Sequence, residues 1–84
     1  MIACIWEYFG TDSNGTAIHF EKHLKEFIAI KNIQNTQTGT QINGDIQSFV
    51  WCAGNKEDLT LIIEMLKPKH YLKKDNFNEF GIFI

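Results

Sequence analysis

Apolar and polar positions alternate between two rhythms along this chain, and the switches mark its elements. Ile2 to Phe9 is a continuous apolar and aromatic run closed by Gly10, which reads as a strand. A polar loop, Thr11 to Gly15, leads to Thr16 as a helix cap. From Ala17 to Ile30 the spacing turns helical: Ala17, Phe20, Leu24, Phe27 and Ile28 fall on one face. A Thr- and Gln-rich stretch, Lys31 to Ile42, then reaches Asn43-Gly44, the dipeptide best suited to a two-residue hairpin turn. Such a turn pairs Ile42 with Asp45, Thr40 with Gln47, Thr38 with Phe49 and Thr36 with Trp51. The polar first arm predicts an edge strand, and Asp45 to Ala53 an interior one. Asn55 caps a second helix whose buried stripe is Leu59, Ile62, Ile63 and Leu66, and Pro68 prevents its continuation. A tail with Lys69, Lys73 and Lys74 turns at Asp75-Asn76 into a last strand, Phe80 to Ile84.

The order strand, helix, strand, strand, helix, strand is that of an α+β ferredoxin-like βαββαβ fold. It implies a four-stranded antiparallel sheet with two helices on one face, in a single domain spanning residues 1–84. Side chains alternate across each strand. With small and aliphatic residues placed beneath the helices, Ala3, Ile5, Val50 and Cys52 face them. Trp6, Tyr8, Phe49 and Trp51 then face the bare side. Four rings there exceed the apolar patch a soluble monomer normally exposes, so a partner should cover them. The competing readings are a register shifted by one residue, which buries the rings, and stacking of single-stranded bases.

Charge narrows the partners. All eight basic residues are Lys and the formal net charge is −2. Without Arg there is no bidentate grip on phosphate or guanine, which weakens a nucleic-acid reading. Twelve Ile against one Val, with seven Asn, fits an AT-rich bacterial or phage coding sequence. No apolar run approaches the ~20 residues of a membrane helix, and the first residues lack a basic leader, so the expected location is cytoplasmic. Cys4 and Cys52 sit in apolar segments without a CxxC motif, and read as buried, reduced thiols.

Candidate chemistry is sparse. His19 and His23 stand one helical turn apart with Glu26 beside them, but the zincin pattern needs Glu where Phe20 stands. Gly10 to Thr16 has the glycine spacing of a phosphate loop with Thr16 in place of its Lys. Glu7 and Asp12 are a possible carboxylate pair for Mg²⁺. No catalytic residue, metal ligand or cofactor is assigned.

The segments ACIWEYF, HFEKHLKEFI, DIQSFVWCAG, KEDLTLIIEMLKP and NEFGIFI resemble, in their spacing, the small Cas2-like group of CRISPR-associated and antitoxin-like proteins. That resemblance implies a ferredoxin fold, a dimer and, in some members, a metal-dependent nuclease whose first strand closes on Asp. This chain offers Glu7 there, followed by Tyr8 and Phe9. The expected function is therefore a non-enzymatic regulatory protein, inhibitor- or antitoxin-like, that dimerises or docks a protein partner through Trp6, Tyr8, Phe49 and Trp51. A Mg²⁺-dependent nuclease and a single-strand nucleic-acid binder are the alternatives.

Overall fold

The computed structural model describes residues 1–44 and 46–83. Its elements are β1 (Ile2–Phe9), α1 (Ser13–Ile30), β2 (Gln37–Asn43), β3 (Gln47–Gly54), α2 (Lys56–Leu66) and β4 (His70–Lys73), followed by a 3-10 segment, Lys74–Phe80. The strands form one sheet in the order β2-β3-β1-β4, antiparallel throughout. The most apolar strands, β1 and β3, are thus central. The Thr- and Gln-rich β2 is an edge, as its composition predicts.

Helix α1 begins at Ser13, before the apolar periodicity starts and ahead of the expected Thr16 cap. Gly10, at φ 104°, makes the turn, and the Ser13 amide donates to the Gly10 carbonyl at 3.1 Å. Polar contacts hold this first turn. Ser13 is buried against Ser48, whose hydroxyl donates to Asn14 Oδ1. Helix α2 follows Asn55 as expected and buries Leu59 and Ile62. It stops at Lys67, which adopts left-handed geometry (φ 47°) just before Pro68.

The hairpin register differs from the expected one. Asn43 pairs with Gln47, Gln41 with Phe49, Gly39 with Trp51 and Thr38 with Cys52, three positions away from the expected pairing. The pairing expected of Asp45, and its place at the head of the strand, lie outside the described residues. A slip of this kind exchanges the faces of the arm. Thr38 and Thr40 turn toward α1, where both hydroxyls donate to the Glu21 carboxylate at 3.0 and 2.9 Å. Gly39 then lies opposite Trp51. A Cβ on Gly39 would overlap the indole, standing 2.7 Å from Nε1, so only glycine leaves room for the ring.

The final strand also differs. The fourth strand is His70–Lys73, paired with β1 through Leu72↔Ala3 and Tyr71↔Cys4. Residues 80–83 form no strand. The chain instead crosses the sheet face opposite the helices and buries Phe77 and Ile82 there. We call residues 74–83 the strap. Ile84, the expected end of the last strand, lies outside the described residues.

Two apolar layers result. On the helix side, Cys4, Trp6, Val50 and Cys52 pack with Ala17, Leu24, Leu59 and Ile62. On the strap side, Ala3, Ile5, Phe49 and Ala53 pack with Phe77 and Ile82. The expected faces of β3 hold, whereas those of β1 are reversed. Antiparallel pairing sets Cys4 opposite Cys52, Trp6 opposite Val50 and Ile5 opposite Trp51. Trp6 and Tyr8 therefore lie under the helices. Trp6 fits there because it bridges the two: its ring meets Phe20 of α1 at 5.0 Å, and its Nε1–H donates to the Leu66 carbonyl of α2 at 2.9 Å.

Candidate functional site

The four rings expected on one bare face are divided between two. Trp6 is 5% exposed in the helix-side core, and Tyr8 is half-buried against Phe20 at 6.1 Å. Phe49 and Trp51 share the other face, which is not bare. Phe80 covers Phe49 edge-to-face at 5.6 Å, leaving Phe49 4% exposed. Trp51 is half-buried, its indole lying over Gly39. The strap carries further exposed rings: Phe80, against Phe49, is 36% exposed and Phe83 77%. Phe9, at the end of β1 and pointing to the same side, is also exposed.

Beside these rings lies a cleft of about 250 Å³, walled by Glu7, Gln41, Gln47, Glu79 and Phe80. Glu7 is its best-fixed charge. Its carboxylate accepts from Gln47 Nε2 at 2.9 Å and lies 3.3 Å from His70 Nε2. β1 and β3 present Glu7 and Gln47 here, and the strap closes the far wall with Gly81 turned to φ 73° against Gln41. Asp12 is elsewhere, at the start of α1, in a depression with Thr16 and His19. Glu7 and Asp12 thus belong to separate sites. Among the described residues, no group of three or more His, Cys, Asp or Glu side chains is arranged to hold a metal ion.

The other candidates are equally definite in geometry. His19 and His23 turn Nε2 toward Nε2 at 2.9 Å, so one ring donates to the other, and His23 Nδ1 lies 3.3 Å from Glu26. Glu26 and His19 thus occupy opposite edges of the His23 ring and do not converge on one point. Cys4 and Cys52 are cross-strand neighbours, both free and fully buried. Burial pushes the Cys4 thiol up to about 11. Burial, with Cys4 beside it, pushes Cys52 up to about 12. Both stay protonated at neutral pH, the wrong state for a nucleophile or a metal ligand.

A further recess escaped the sequence reading. Ile2, Ile63, Tyr71 and Lys56 line a groove of about 360 Å³ between α2 and β4. The available signal was the alternation of Tyr71 and Lys73, which marks one face of an extended strand.

Compared with known proteins, the chain matches no family model, no curated protein and no solved structure. No helix of the described residues is long and apolar enough to cross a membrane.

Proposed function

We propose that this protein is a small non-catalytic interaction module that docks a protein partner, in the simplest case a second copy, through the strap side of its sheet. The reading rests on one observation. Phe80, packed on Phe49, and Phe9 stay exposed on the side away from the helices, where Trp51 is half-buried, and Phe83 at the end of the strap is 77% exposed. Exposed rings of this kind anchor interfaces. A standard interface takes about 800 Å² from each partner. The molecule measures 34 × 29 × 18 Å, so a single broad face is large enough. Association would be driven by apolar burial at ~25 cal/mol/Å².

We read the sheet order as ferredoxin-like, the architecture that also goes with the Cas2-like resemblance. The nuclease alternative gains no support from Glu7, which is engaged by Gln47 and His70 and separate from Asp12.

The test is Trp51→Asp and Phe80→Asp, with mass by light scattering and partner capture from host extract. Loss of self-association or of capture in both, with the helix content retained, is the expected result. Unchanged mass together with unchanged capture refutes the reading.

A further inference from the structure

A second surface is set by charge rather than by ring area. From Lys67 to Lys74 the chain carries four Lys and no acid, so the remaining residues sum to −6 against a total of −2. This run includes β4, the sheet edge opposite β2. Lys67, Lys69, His70, Tyr71, Lys73 and Lys74 are all exposed. The ion pairs among the described residues are His23–Glu26, Lys25–Glu21 and His70–Glu7, so none of the four Lys pairs with a carboxylate of the described residues.

Strand alternation organises the charge. Tyr71 pairs with Cys4 and Lys73 with Ile2, so both side chains lie on the helix side of the edge. Lys69 stands just before the strand, exposed, with its amide donating to the Ile5 carbonyl at 2.9 Å. Tyr71 is 53% exposed and forms one wall of the 360 Å³ groove, with Ile2 and Ile63 behind it and Lys56 at the rim. The acids of α2, Glu57, Asp58 and Glu64, line a different depression beside Asn32 and Gln34. An aromatic wall on an apolar floor, flanked by ammonium groups, suits a ligand that joins flat rings to regularly spaced anions.

We propose that this groove binds single-stranded nucleic acid, with a base stacking on Tyr71 and backbone phosphates meeting Lys56, Lys69 and Lys73. Stacking platforms interleaved with cations are the general device for holding single strands without sequence preference. The absence of Arg removes the bidentate base readout and leaves the phosphate attraction, so binding is sequence-tolerant. Lysines on an edge strand also discourage strand pairing between molecules. That role needs no aromatic ring and no groove, which makes Tyr71 the discriminating residue.

The experiment is fluorescence anisotropy of a labelled oligo-dT of about twenty nucleotides. The full chain is titrated in a salt series from about 50 to 200 mM. Three phosphate contacts predict a slope of log K against log salt near −2. Tyr71→Ala weakens binding about tenfold, whereas Tyr71→Phe retains it. Lys73→Gln, at an exposed position, lowers the slope by about 0.7 and keeps the test valid if Tyr71→Ala fails to fold. Absence of binding at the lowest salt overturns the proposal. So does wild-type affinity in Tyr71→Ala, or equal competition by poly-glutamate of matched charge, which would assign the surface to acidic polypeptides.

Discussion

The two faces of this sheet are closed by different means. The helix face lies under α1 and α2, whose backbones satisfy their own hydrogen bonds. It buries Cys4, Trp6, Val50 and Cys52 completely or nearly so. The strap face lies under ten residues of 3-10 and irregular chain. That segment buries only Phe77 and Ile82 of its own and leaves Phe80 and Phe83 partly or largely wet. Short 3-10 segments have poorer hydrogen-bond geometry than an α-helix. Equal apolar character in the sheet therefore does not give equal closure. The strap face is therefore expected to open before the helix face.

The largest test of that difference compares two aromatic deletions. Trp6→Ala removes a buried ring and its bond to Leu66, and is expected to cost about 4 kcal/mol of global stability in urea denaturation. Phe77→Ala is expected to cost about 3 kcal/mol, most of it as local opening. In hydrogen exchange, amides of residues 74–83 should lose protection while those of α1 and β3 keep theirs. Equal global losses, with no local opening, would erase the distinction between the faces.

Part of this asymmetry was legible in the sequence and part was not. Leu59 and Ile62 follow a 3.6-residue period that admits one buried face, and α2 lies where its pattern puts it. The polar β2 could only be an edge. The orientation of β1 was not legible, because Ile2 to Phe9 is apolar at nearly every position and alternation carries no signal there. The candidate site inherited that ambiguity: Phe49 and Trp51 share a face, but Trp6 and Tyr8 do not join them. The run Phe80-Gly81-Ile82-Phe83 reads as a strand by composition. Apolarity says only that a segment is covered or covers something, and here it covers Ala3, Ile5 and Phe49.

Alkaline titration sharpens the comparison next. The groups whose ionisation burial opposes, Cys4, Cys52 and Tyr8, are all on the helix side. Their folded-state values are raised above the unfolded ones. The stability they contribute is therefore fully present below pH 9, where the unfolded thiols begin to ionise, and is lost as pH climbs toward about 11 to 12. A loss of order 2–3 kcal/mol by about pH 10.5 is expected from urea midpoints. Cys52→Ala should flatten the decline. A decline of the same size in that variant would place its origin outside Cys52.

The smallest effect belongs to the strap side. Gly39→Ala puts a methyl group where the Trp51 indole lies. It should displace the ring, cost about 1–2 kcal/mol and shift part of the tryptophan emission to the red, with Trp6 as the unchanged internal reference. An unaltered spectrum would show that the indole does not rest on Gly39.

The strap is also the last of the described elements to leave the ribosome. Strands β1 to β4 and both helices precede it, so during synthesis the sheet can assemble with Ile5, Phe49 and Ala53 still uncovered. The nascent chain passes through a sticky, half-closed stage that ends only when Phe77 and Ile82 emerge. A premature stop codon after β4 would hold it there, as a substrate for chaperones and proteases.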